Sequence, residues 1–154
     1  MRLARTMILL VILAAPMLPI HAAAQSAWIS VQQCESANTH SEEIDCYVEA
    51  AAKSRAEVRR TFETTLRDVM NLERQLGDLT RNNGRSLEQW LRTSQSAWLK
   101  YSEAQCHVEG QSASMGGSGT DEDDADCRLR LDTSRLAELR ATLKLIKENQ
   151  LPHR

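Results

Sequence analysis

The sequence predicts an all-α protein, an antiparallel bundle of three long helices stapled by two local disulfides, and three observations predict it. Apolar residues recur at three-and-four spacing through three separate stretches, the period of helices that each bury one face. Strand signals are missing: there is no alternating run, and one Phe and two Tyr are all that these residue types could give a sheet. The four cysteines, an even number, fall as two local pairs.

The chain opens Met-Arg-Leu-Ala-Arg, continues through an apolar run from Met7 to Ile20 and reaches Ala22-Ala23-Ala24. This is the pattern of a secretory signal peptide over residues 1–24, cleaved before Gln25. The run is short for a membrane span, and no cysteine stands at the junction to carry a lipid. The expectation is a soluble periplasmic or secreted protein with no membrane contact after cleavage. Cleavage removes Arg2 and Arg5 and no acidic residue, so the formal net charge of −2 becomes −4. That balance excludes nucleic acid as a natural partner. What remains is enough for one domain with a modest core.

Cys34, Cys46, Cys106 and Cys127 all lie in the exported part, where an oxidising compartment favours disulfides. Four cysteines allow three connectivities, and the local pairing Cys34–Cys46 and Cys106–Cys127 is the one expected. Loops of this size contribute roughly 3 kcal/mol each on a chain-entropy model. A zinc site would need Cys-x-x-Cys, which is missing, or a ligand from His40 or His107, so no metal is assigned.

Residues 25–40 read as an irregular N-terminal arm tied down by the first disulfide, with the helical domain following over 41–150. Thr39 to Glu42 is a Thr-x-x-Glu capping box, with Ser41 as a nearby alternative cap. The first helix carries Ile44, Tyr47, Val48, Ala51, Val58, Phe62, Leu66, Val69, Leu72, Leu76 and Leu79, with one weak turn at Lys53 to Arg55. Its length of roughly 50 Å exceeds what a domain of this size needs, so a kink or a projecting end is expected. Arg59, Arg60, Arg67 and Arg74 interleave with Glu57, Glu63, Asp68 and Glu73, the pattern of a solvated face. Apolar residues beyond the bundle's end would offer a seam for a homo-oligomer through this helix.

Arg81-Asn82-Asn83-Gly84 supplies turn chemistry, because Asn and Gly tolerate positive φ. Ser86 to Gln89 is a second capping box. The second helix shows Leu87, Trp90, Leu91, Ser94, Ala97, Trp98, Tyr101, Ala104 and Val108, with Gly110 as its terminator. A glycine-rich polar segment, Gln111 to Gly119, leads into Asp121-Glu122-Asp123-Asp124-Ala125-Asp126. The third helix carries Cys127, Leu129, Leu136, Leu139, Leu143 and Ile146, with Lys144 and Lys147 in its last turns and Pro152 beyond.

No constellation here carries catalysis, and no cofactor is implied. The histidines are scattered, none beside a plausible nucleophile, and Cys106 is committed to a disulfide. Gly116-Gly117-Ser118-Gly119 lacks the Gly-Lys-Ser/Thr ending of a phosphate loop. Leu91, Gln95, Trp98, Ser102 and Cys106 share one helix face, so Trp98 reads as core and Gln95 as bonded to a neighbouring backbone or to Arg135. The other reading of Gln95, Trp98 and Tyr101 is a surface aromatic hot spot. For the acidic run, carboxylates in a helix's first turn complement its dipole, while a calcium loop would need a spaced Asp-x-Asp-x-Asp-Gly pattern that is not there. The remaining reading makes Ser118, Asp121, Glu122, Asp123 and Asp124 a partner-binding loop.

Gln95-Ser-Ala-Trp98-Leu-Lys-Tyr101-Ser-Glu-Ala-Gln-Cys106, then Gly116-Gly117-Ser118-Gly119, Cys127 and Thr133-Ser-Arg135-Leu-Ala-Glu138-Leu139, resembles the lysozyme inhibitor LprI-like N-terminal domain family. The likeness runs over about residues 34 to 143 and is closer in the second half. In that pattern Gln95, Trp98, Tyr101 and Arg135 are motif positions with structural roles. Two departures stand out. Ser54-Arg-Ala-Glu-Val58-Arg59-Arg60-Thr-Phe62 replaces a usual Ala-Asp-x-x-Leu-Asn-x-x-Tyr, and Ser102 stands where an Arg is common. The resemblance implies an exported, non-catalytic module that binds and inhibits a lysozyme. Lysozymes are typically cationic, and an anionic domain with an acidic segment would steer toward one. The alternative is a structural or stress-related envelope protein without a lysozyme target.

Overall fold

The computed structural model describes residues 34–80, 83–117 and 119–149; the expected signal peptide, residues 25–33 of the expected arm and Ser118 lie outside the described residues. Three helices follow one another, α1 (His40–Leu76), α2 (Leu87–Ser114) and α3 (Thr120–Asn149), with a 3-10 turn, Gly77–Thr80, after α1. They form an up-down-up bundle: α2 runs antiparallel to both neighbours, so α1 and α3 lie parallel. Among the described residues there is no strand, and no helix is long and apolar enough to cross a membrane.

Both expected helix starts are made by the residues that the sequence offers. Thr39 is extended, and its hydroxyl accepts from the Glu42 N–H at 3.2 Å. The return bond departs from the standard box, because the Glu42 carboxylate accepts from the Asn38 N–H at 3.2 Å, one residue earlier. Ser86 and Gln89 make the complete reciprocal box at the start of α2. Asn83 and Gly84 both take positive φ, 52° and 75°, as the turn between α1 and α2 requires.

α1 is one uninterrupted helix of 37 residues, about 55 Å long. The weak turn in its apolar stripe does not interrupt the helix: it is the place where Arg55 enters the interior, and a charged residue breaks the stripe while the helix continues. Gly110 requires a correction. It does not end α2, which runs on to Ser114 and closes with Met115 at φ 48°. Gly110 is buried, and a Cβ there would lie 2.8 Å from the Thr120 carbonyl oxygen and 3.3 Å from the Asp124 Cβ. Glycine lets α2 approach the start of α3 within a turn of Cys106.

The core is layered along the bundle. At the end holding the α1 and α3 N-termini, Cys34, Tyr47, Ala50, Ala51, Ala125 and Leu129 pack together. Beside them lie Cys106, Cys127 and Leu131. The middle is Val58, Leu136 and Leu139, with Phe62, Leu91 and Trp98 against them. The far end is Val69, Leu72 and Ile146, joined by Leu76 and Leu87. Both expected disulfides are formed, Cys34–Cys46 and Cys106–Cys127, each across a Cα–Cα distance of 5.4 Å.

α2 buries the face that Leu91, Gln95, Trp98, Ser102 and Cys106 share, and leaves outside other apolar residues of its pattern. Its buried positions are Gln95, Ser102, Cys106 and Gly110, whereas Trp90, Tyr101 and Val108 are exposed by 40, 55 and 59%. Two stripes compete on this helix. The one made of small and polar residues won the interior because its neighbours fill the space with a disulfide and with arginines.

Candidate functional site

Across the middle of the bundle runs a polar layer that the apolar periodicity hides. Asp132 of α3 has no exposed surface, and Arg55 of α1 answers it with Nε at 3.2 Å and Nη2 at 3.0 Å from the carboxylate oxygens. The same guanidinium donates from Nη1 to the Ser102 hydroxyl at 3.2 Å and lies 4.7 Å from the centre of the Trp98 ring. Burial pushes the Asp132 carboxyl up to about 6, and the nearby Arg55 only partly opposes that rise. Arg55 of α1 thus brings its guanidinium to Ser102 of α2.

A second buried arginine completes the layer. Arg135 Nε donates to Gln95 Oε1 at 3.0 Å, Nη2 to the Ser94 hydroxyl at 3.1 Å, and Nη1 to Glu138 at 2.8 Å. Its guanidinium carbon lies 5.8 Å from the Trp98 ring centre. Gln95, Trp98 and Arg135 are thus brought together as one interior unit. Tyr101 is not: it stands on the outer side of α2, which removes it from the expected structural group.

Of the readings of the acidic run, the first-turn one holds and the loop one is corrected: α3 begins at Thr120 and places Asp121 to Asp124 in its first turns. Asp123 accepts a short bond from the Ser114 hydroxyl, tying the end of α2 to the start of α3. Asp124 accepts from Arg128 Nη2 at 3.2 Å, an i,i+4 pair on the helix surface. Glu122 faces His40 across 3.8 Å, and His40 also meets Glu43 at 3.6 Å. Asp121 is exposed.

These contacts gather carboxylates from two helices at one end of the molecule. The clearest reporter is Tyr47, whose hydroxyl is pushed up first by burial and then by Glu35, Asp126, Glu122 and Glu43. Four carboxylates close enough to act on a buried tyrosine also present negative charge to solvent. Among the described residues, His40, Glu43 and Glu122 could each offer a ligand atom within 4.8 Å of the others and so could hold a metal. They sit at two helix N-termini, whose dipoles oppose a cation.

Two shallow grooves flank this arrangement. One, of about 620 Å³ between α1 and α2, is lined by Val58, Phe62, Leu66 and Leu99, with Arg55, Arg59 and Arg92 beside them. The other, of about 470 Å³ between α1 and α3, has Val48, Ala51 and Ala125 in its apolar lining, with Asp121 and Asp124 and the two arginines Arg55 and Arg128 alongside. No nucleophile, base and orienting group converge in either. The sequence missed Arg55 and Asp132, and two signals pointed at them: the break in the α1 stripe and the paired departures at Arg55 and Ser102.

Comparison with known families matches residues 31–139 to the model described as lysozyme inhibitor LprI. No curated protein and no solved structure matches the chain.

Proposed function

The chain belongs to the lysozyme inhibitor LprI family, and on that premise we propose that it is an exported, non-catalytic module that binds a cationic lysozyme through the acidic end of its bundle. The family match is the observation that carries this reading. The structure supplies a surface of suitable sign: Glu43, Asp121, Glu122 and Asp126 lie around the N-termini of α1 and α3. The groove beside them offers a small apolar floor, and its two carboxylates, Asp121 and Asp124, are matched by Arg55 and Arg128, so the charge for a cationic partner comes from the surrounding helix ends. The two disulfides suit the oxidising periplasm, where such a partner would be met.

Long-range attraction of this kind raises the association rate and weakens with salt. The test is to titrate the mature, disulfide-intact protein into turnover assays of several lysozyme classes. Inhibition at micromolar excess, weakened by added salt, is expected for at least one class. No inhibition of any class sinks the reading.

A further inference from the structure

Met115 is costly to this fold in two ways. It closes α2 with φ 48° and ψ 36°, a left-handed conformation that is disfavoured for a long L side chain and that glycine adopts freely. Its side chain is 93% exposed, so no packing offsets the strain. An apolar side chain held out in water on a strained backbone is the kind of outlier that points to a contact outside the chain.

The junction around Met115 is tied down on both sides. The Gly117 N–H donates to the Ser114 carbonyl at 2.8 Å, and the Gly117 carbonyl accepts from the Thr120 hydroxyl at 2.8 Å and from the Thr120 N–H at 3.3 Å. The Ser114 hydroxyl donates to Asp123 in the first turn of α3. Gly116 takes φ 75°, and a Cβ on Gly117 would lie 2.9 Å from the Ser114 carbonyl oxygen, so the stretch after Met115 is bare backbone. The result is a slender, uncharged tip carrying one thioether, next to the helix start that bears Asp121, Glu122 and Asp123.

We propose that this tip is the part of the molecule that enters the cleft of a lysozyme, with the Met115 side chain as its apolar anchor; the proposal rests on the inhibitor reading above and names the contact within it. Charge decides which part can enter. Glycosidases of this kind work with carboxyl groups flanking the bond that they cut, so the floor of the cleft repels a further carboxylate. The carboxylates of α1 and α3 suit the cationic surface around the cleft, and the uncharged junction between α2 and α3 suits the cleft itself. Bare backbone is also narrower than a helix, whose diameter with side chains is about 10 Å. An unbranched thioether adapts to an irregular apolar pocket, and a backbone already fixed before contact loses little freedom on binding.

The test compares inhibition of a responsive lysozyme by wild type, Met115→Leu, Met115→Gly and Met115→Asp, each mature and disulfide-intact, with N-acetylglucosamine oligomers as the competing cleft ligand. Wild type should compete with the oligomers. Met115→Gly should weaken inhibition at least tenfold while its thermal melt stays equal or rises, because glycine relieves the backbone. Met115→Leu should stay within about threefold of wild type, and Met115→Asp should lose more than Met115→Gly. Wild-type inhibition that Met115→Gly retains in full, or that the oligomers leave untouched, overturns this inference and leaves the acidic-end reading standing. A lowered melt in Met115→Gly also overturns it, since the side chain would then serve the fold. A wild type that inhibits no lysozyme removes the inhibitor reading itself, and this inference with it.

Discussion

The two ends of the bundle are held by different means. At the far end Val69, Leu72 and Ile146 bury aliphatic surface against Leu76 and Leu87, and burial of such side chains is worth about 1.5–3 kcal/mol each. At the near end the core is made largely of cysteine and alanine around Tyr47, with Cys34–Cys46 and Cys106–Cys127 closing it covalently. The near end is also where Glu35, Glu43, Glu122 and Asp126 crowd around Tyr47. Like charges at close range destabilise a fold, and two helix dipoles offset only part of that repulsion. The difference teaches a division of labour: the far end stays folded by packing, while the near end is cross-linked and so tolerates a concentration of negative charge that a purely packed end would resist.

Removing the cross-links should produce the largest effect. With both disulfides replaced by serine pairs, a loss of about 6 kcal/mol is expected, enough to unfold a domain of ordinary stability. Hydrogen exchange should show protection lost first around Tyr47 and Cys106 and last around Val69. Uniform loss along all three helices would break the distinction between the ends.

Trp98 and Tyr101 sharpen it from the middle. Trp98 packs against Val58, Leu136 and Leu139 beneath two guanidinium groups, whereas Tyr101 stands in solvent. Trp98→Ala should cost about 3 kcal/mol in urea denaturation and Tyr101→Ala less than about 0.5. A fully stable Trp98→Ala would show that the polar layer holds without its aromatic lid.

Much of this architecture was legible in the sequence because short-range rules governed it. The caps at Thr39 and Ser86, the positive-φ turn at Asn83-Gly84, the two disulfides and the Gln95–Arg135 contact all depend on spacing along a helix or on chemistry that few residues can satisfy. Where the reading failed, a competing tertiary demand won. Gly110 carries the signature of a helix end, yet it serves a close helix contact. The glycine-rich segment before the acidic run drew Asp121 to Asp124 into a candidate loop, yet the helix starts at Thr120 and they complement its dipole, as the other reading of the run had it. On α2 Trp90, Tyr101 and Val108 were counted in the apolar pattern, and the interior taken by the face of Gln95, Ser102 and Cys106 leaves them outside. Arg55 and Asp132 were hidden because each is a charged residue within an apolar pattern, and a single sequence does not show that they are partners.

The Asp132 carboxyl gives a smaller and more diagnostic effect. Its value in the folded chain, about 6, lies above the 3.8 of an ordinary Asp, so the folded state takes up a proton first as pH falls. Stability should therefore rise as pH drops through about 6 and reach its full gain below about 3.8. Asp132→Asn removes this dependence, and comparing urea midpoints of the two proteins at pH 7 and pH 5 isolates it from the exposed carboxylates. A wild type that loses stability relative to the variant over that interval would contradict the burial of an underpaid charge between α1 and α3.

The central claim is that the cross-linked end carries its carboxylates for a cationic partner. The most direct measurement compares the inhibition constant against a responsive lysozyme for wild type, for the combined variant Glu43→Gln, Asp121→Asn, Glu122→Gln and Asp126→Asn, and for Lys144→Gln with Lys147→Gln at the opposite end. The prediction is at least a tenfold weakening in the first variant with the fold intact, and little change in the second. Equal inhibition by all three proteins would contradict the assignment of binding to the acidic end.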